Sequence, residues 1–270
     1  AYTCRGIVWL NKNNPENALQ DTNRAISINP NLATAYGIRG SAYFQKKEFE
    51  KALEDSDQAT KLSPDLAFVY ALRGSIFLAQ EQNEEAISSF KRAIHSAPKW
   101  SEAYGNLGHA YSMLENFGQA LKNYDIGISL NSKSAQLYNN RGYLYSQTGD
   151  FTKALLDCNK ALALNPKLVN GYGSRGHTYF LMKKYEEALS DFRESAILKP
   201  EHKFAIAGQA VCHYALDQKD KAKQLWQALI ELDPDYVGIE ALVKDYHPAT
   251  LFVETARKLI SELVKNHGEH

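Results

Sequence analysis

The amino-acid sequence predicts an all-α solenoid of antiparallel helix pairs, and three observations carry the prediction. The outline of residues 133–166, KSAQLYNNRGYLYSQTGDFTKALLDCNKALALNP, returns every 34 residues along most of the chain. Each return places apolar residues at spacings of three and four, the period of an amphipathic helix, on either side of a short polar turn such as QKKEF, EQNEE or QTGDF. A proline closes nearly every return, where a missing amide donor ends a helix. A period of this length outweighs the one large or two small domains that 270 residues would otherwise suggest.

With residues 33–66 as the frame, the first helix of each return carries an aromatic at its fourth position, Tyr2, Tyr36, Tyr70, Tyr104, Tyr138 and Tyr172, and another at its eleventh, Trp9, Tyr43, Phe77, Tyr111, Tyr145 and Tyr179. Between them the eighth position is Gly6, Gly40, Gly74, Gly108, Gly142 and Gly176, then Ala210. Glycine inside a helix costs about 1 kcal/mol relative to alanine, so its return at one register implies a helix contact too close for a side chain. The second helix supplies the facing small residue at the twentieth position, Ala18, Ala52, Ala86, Ala120, Ala154, Ala188 and Ala222. Pro30, Pro64, Pro98, Pro166, Pro200 and Pro234 follow at the thirty-second, with Ser132 the exception.

This pattern resembles the tetratricopeptide repeat, whose order of aromatic, glycine, aromatic, alanine and proline it keeps. The resemblance covers residues 1–234 as units 1–32, 33–66, 67–100, 101–134, 135–168, 169–202 and 203–234. It implies a right-handed superhelix and a non-enzymatic protein-interaction scaffold. The family has leucine at the seventh position, whereas this chain has Arg5, Arg39, Arg73, Arg141 and Arg175, departing only at Leu107 and Gln209. At the twenty-third it has Asp21, Asp55, Asp157 and Asp191, but Ser89, Asn123 and Leu225. Wherever the arginine is lost the aspartate is lost too, which predicts a partly buried Arg–Asp pair between helices of one unit or of neighbouring units.

The seventh unit is degenerate, with Ile206, Ala210 and His213 at the fourth, eighth and eleventh positions. Residues 235–265 are expected to end the stack as capping helices: a short one in DYVGIEALVKDY, and one begun by Pro248 with Leu251, Phe252, Thr255, Ala256, Leu259, Ile260, Leu263 and Val264 on one face. NHGEH, residues 266–270, reads as a frayed tail.

Thirty-one basic and thirty-one acidic side chains leave no net field for nucleic acid or an anionic membrane. Cys4, Cys158 and Cys212 fit neither a disulfide framework nor a metal motif and are expected to be buried thiols. No membrane span and no signal-peptide layout is visible, which suggests a cytoplasmic protein. The opening AYTCRG already reads as helix interior, so residues before Ala1 are expected to be missing.

GYGSRG at residues 171–176 matches a dinucleotide fingerprint in form, but it lies inside a first helix and lacks the preceding strand, so no cofactor is expected. His109 and His177 share the ninth position two units apart, about 20 Å at the spacing of packed helices, too far to share a metal. The remaining surface is the concave groove, which in this family is lined by positions 2, 5, 6, 9, 12 and 13 of each first helix. Units two and three put Ile38, Phe44, Phe68, Leu72 and Leu78 there; units four to six put Asn106, His109, Ser112, Asn139, Asn140, Tyr143, Ser146, Asn170, Ser174 and His177. The groove lacks the lysines and arginines with which family members hold chaperone carboxylates. Its amide-rich half is similar to the asparagine ladder of the O-linked N-acetylglucosamine transferase, and an amide, both donor and acceptor, matches a peptide backbone. The expected partner is therefore an extended peptide or protein segment. Two alternatives stay open: a structural array in which copies stack through the open N-terminal end, forming a homo-oligomer, and the C-terminal adaptor of a longer enzyme.

Overall fold

The computed structural model of the chain describes residues 1–245 and 250–267, without side chains at 244–245 and 264–267. Among them all regular secondary structure is helical. Seven helix pairs follow in order: α1 (Tyr2–Asn11) and α2 (Pro15–Ile28), α3 (Ala33–Gln45) and α4 (Phe49–Leu62), α5 (Ala67–Ala79) and α6 (Asn83–Ser96), α7 (Ser101–Met113) and α8 (Phe117–Leu130), α9 (Ala135–Gln147) and α10 (Phe151–Leu164), α11 (Val169–Leu181) and α12 (Tyr185–Leu198), α13 (Lys203–Ala215) and α14 (Lys219–Leu232). A 3-10 turn (Pro234–Val237), α15 (Glu240–Asp245) and α16 (Leu251–His267) complete the chain. Pro248, the expected start of the last helix, and residues 268–270 of the expected tail lie outside the described residues.

Two compact bodies are formed, Ala1–Ser132 and Lys133–His270. In each, every helix of the pairs packs on the next, and first helices also touch first helices: α1, α3, α5 and α7 in one body, α9, α11 and α13 in the other. Second helices make no comparable contact with one another, so the first helices line the inner face of each body.

The close approach behind the repeated glycine is visible directly. A Cβ on Gly40 would stand 3.1 Å from the Ala52 carbonyl oxygen, and one on Gly142 or Gly176 would stand 3.2 Å from that of Ala154 or Ala188. The residues before five of the repeat prolines, Asn29, Ser63, Asn165, Lys199 and Asp233, are extended, since the proline ring disfavours helix there. Between the helices of a pair the chain passes through one left-handed residue, at Asn13, Lys47, Glu81, Glu115, Gly149, Lys183 and Asp217, with φ between 53° and 84°. Only one of these seven is the glycine such a conformation favours.

The predicted ion pairs form within a unit. Nε and Nη2 of Arg39 donate to the two carboxylate oxygens of Asp55 at 2.8 and 2.7 Å. The same fork joins Arg5 to Asp21, Arg141 to Asp157 and Arg175 to Asp191 at 2.6 to 2.9 Å. The four aspartates are buried. Hydrogen bonds from Arg5 hold the Asp21 carboxyl below the usual carboxylate range. Cys158 and Cys212 are buried as expected, but Cys4, on α1, is exposed.

Candidate functional site

In the N-terminal body the apolar wall is largely consumed by packing. Ile38 and Leu72 are buried; Leu72 reaches to 3.2 Å of where a Cβ on Gly40 would be, and joins the core with Ile76. The Phe68 ring covers Gly37, occupying the space a Cβ there would need. Gly37 and Gly40 admit these neighbouring side chains rather than leaving open space. Phe44, Phe68 and Leu78 remain half-buried, Asn106 likewise, and Ser112 is half-buried with its hydroxyl donated to the His109 carbonyl. His109 is exposed.

In the C-terminal body the amide wall encloses space. A cavity of about 460 Å³ is lined by Gln136, Asn139, Asn140 and Tyr143 of α9, Asn170 and Ser174 of α11, Lys199, Glu201 and His202 of the α12–α13 connection, Lys203 and Phe204 of α13, and Tyr236. Gln136 Nε2 donates to Asn140 Oδ1 at 2.7 Å, and Asn139 Nδ2 points to the same oxygen at 3.4 Å. That orientation leaves Asn139 Oδ1 buried with no donor, in a residue only 4 % exposed. An unsatisfied buried acceptor costs about 1–3 kcal/mol.

One wall residue, His202, is fixed from behind. Ser195 Oγ donates to the Val169 carbonyl at 3.1 Å and lies 2.9 Å from His202 Nδ1. With its one hydrogen so used, the hydroxyl accepts from Nδ1–H, and Nε2 becomes the acceptor of the neutral ring. Burial, and secondarily Lys199, push the His202 pKa down and keep it neutral.

Ser146 and His177 do not belong to the open surface. Ser146 is 2 % and His177 1 % exposed. Ser146 Oγ donates to the Tyr143 carbonyl at 2.7 Å and meets His177 Nδ1 at 3.4 Å. The His177 ring lies 5.5 Å from Tyr143 on one side and 5.5 Å from Phe252 on the other. Phe252 belongs to α16, which packs on α11, α13 and α14 and therefore lies on the inner face of this body. Phe252, Val253, Ala256 and Leu259 are fully buried there beside Phe180 and Phe192, and Tyr214 donates to Glu262 at 2.6 Å. Burial drives the His177 pKa down to about 3.

Gln136 and Phe204 occupy the second position of their first helices, so the family register contained them. Lys199, Glu201 and His202 sit in a connection between units and carry no periodic signal. The glycines of GYGSRG serve packing: Leu162 covers Gly171, Phe204 covers Gly173, and the Ala188 carbonyl faces Gly176. Among the described residues no three His, Cys, Asp or Glu side chains are grouped to hold a metal ion, and no helix is long and apolar enough to cross a membrane.

Tetratricopeptide repeat family models match residues 33–66, 69–99, 101–134, 135–168, 169–202 and 208–236. A search of curated protein sequences gives no match. Among solved structures, a chain from the Cut9–Hcn1 hetero-tetramer of the APC/C aligns over 96 % of this chain with a TM-score of 0.79 and 15 % identity. This chain spans 48 % of that one. A tetratricopeptide repeat protein from Parabacteroides merdae aligns over 96 % of this chain and 97 % of its own, with a TM-score of 0.69 and 16 % identity. Yeast Tom70 aligns over 100 % of this chain and 56 % of its own, with a TM-score of 0.64 and 19 % identity. At these identities the likeness concerns the fold.

Proposed function

Because the chain belongs to the tetratricopeptide repeat family, whose members generally mediate protein–protein interactions, we propose that its C-terminal body binds an extended peptide segment through the amide-lined cavity. The single observation that carries this reading is the buried Asn139 Oδ1 without a donor at that cavity. Turned into the cavity, that amide oxygen would accept a backbone N–H of an extended segment, the donor it lacks. Asn140 and Asn170 supply further amides, the neutral His202 an acceptor, and Tyr143 and Phe204 apolar surface for a side chain. The protein acts as a scaffold, and its own residues perform no chemistry on the bound segment.

The test pairs capture with titration. Peptides retained by the intact chain are identified by mass spectrometry and titrated against Asn139→Ala and Asn139→Ala/Asn140→Ala by calorimetry. Losing one satisfied hydrogen bond corresponds to about tenfold in affinity for the single variant. Thermal stability of Asn139→Ala should not fall, because the substitution also removes an unsatisfied acceptor. Unchanged affinity for every retained peptide refutes the role of the amide wall.

A further inference from the structure

Repeat three presents an arginine whose carboxylate is missing, and we propose that this place is a binding site for a carboxylate group supplied from outside the repeat. The site lies in the N-terminal body away from the groove positions, and it does not rest on the peptide reading above.

Four arginines at the seventh position spend the same edge, Nε and Nη2, on the aspartate sixteen residues ahead. In repeat three that aspartate is Ser89, whose hydroxyl is turned back on its own helix and donates to the Glu85 carbonyl at 2.8 Å. Arg73 reaches backward through Nη1 to Asp57. Among the described residues its Nε and Nη2 meet no acceptor. Where those four repeats hold a buried carboxylate, a cavity of about 370 Å³ opens, bounded by both Arg73 and Ser89.

A second cation stands at the same cavity. The Arg92 guanidinium lies 5.1 Å from the Tyr70 ring centre and makes no ion pair among the described residues. The acids of the wall are Asp57, already engaged at the far edge of Arg73, and Glu85. An adjoining cavity shares Tyr70, Ser88 and Arg92 and adds Lys91 and His95 against Asp65. Charges in the two walls are nearly balanced, so the field does not favour a polyanion. What distinguishes the place is one open guanidinium edge, whose two parallel donors match the two oxygens of a carboxylate. The ligand is therefore a lone carboxylate, from a small acid or from an acidic side chain of a protein.

The Arg Nε–H resonances of the whole chain report the site, with the paired arginines as internal controls. At constant ionic strength, acetate should shift the Arg73 signal saturably and leave those of Arg39 and Arg175 in place. An end-blocked aspartyl peptide used in parallel separates the sources: a tighter response to it assigns the site to a protein side chain, a tighter response to acetate assigns it to a small acid. Ser89→Asp installs the carboxylate of those four repeats; it should abolish both responses and raise Tm by about 2 °C. Arg73→Gln, which breaks no internal fork, should fold normally and show no saturable shift at any arginine. The proposal fails if neither carboxylate shifts Arg73, if all five arginines shift alike, if inorganic phosphate alone binds, or if Ser89→Asp still responds.

Discussion

Repeats two and three carry the same arginine at the same register and give it opposite fates. Arg39 forks onto Asp55, which is 5 % exposed, and Arg73 holds only Asp57, whose side chain is 54 % exposed. In repeat two the guanidinium is a strut between two helices; in repeat three the helices pack without it, since Phe90 fills the space beside Gly74 and is fully buried. A residue can thus persist at a repeat position after its structural reason has gone, and the two cases separate by what the partner position holds. Identity at one register position says little about energy until its counterpart is read as well.

The largest test of this contrast removes the buried partner. Asp55→Ala strands the Arg39 fork between α3 and α4 and should cost about 3 kcal/mol in urea unfolding. An effect below about 1 kcal/mol would make the pair a surface contact like that of repeat three. Next comes a fully buried imidazole. His177 titrates at about 3 in the fold against 6.5 for a free side chain. The unfolded chain then binds more protons below 6.5, so stability is intact above that value and falls as pH drops towards 3. Between pH 6.5 and about pH 5 the loss should reach about 2 kcal/mol. His177→Gln should flatten that slope in unfolding curves measured across the range; an unchanged slope would mean that the ring already ionises beneath Phe252.

Smaller effects follow at the turns. Gly149 has φ +84 with nothing within contact of a Cβ, so Gly149→Ala should cost about 1 kcal/mol from backbone conformation alone. Lys47→Gly, at φ 60, should recover a comparable amount less the entropy of a freer unfolded chain. The pair of melting temperatures tells whether the left-handed residue is a liability at every turn or is relieved by its context. Smallest of all is Arg73→Ala, expected to change stability by less than about 0.5 kcal/mol. A loss matching that of Asp55→Ala would erase the distinction between the two repeats.

The helix pairs were legible because the period repeats one packing solution: Gly40 against the Ala52 carbonyl is the same event as Gly176 against that of Ala188. The Arg–Asp pairing was legible for the same reason, since the aspartate is absent wherever the arginine is, although only the structure shows that the fork closes within a unit. The left-handed residue of each turn was visible at Gly149 alone; Lys47 or Glu81 carries no such mark, because the surrounding helices impose the conformation. The candidate site was legible in part. Asn139, Asn140, Tyr143, Asn170 and Ser174 do line one cavity, and periodicity points to them. Burial of Ile38 and Leu72 was not, because a small neighbour reads equally as a pocket or as room for the next side chain. The fate of Ser146 and His177 depends on α16, a helix outside the repeat, and no register position announces which face such a helix will choose.

That choice sets a ruler on anything lying across the inner face of the C-terminal body. With α16 seated on α11 and α13, the uncovered cavity runs from α9 across α11 to the start of α13, about 20 Å for two steps at the spacing of packed helices. An extended chain advances about 3.3 Å per residue, so about six residues span it. A segment much longer than a hexapeptide must turn away from the surface where α16 begins, and residues beyond that point should add little to its affinity.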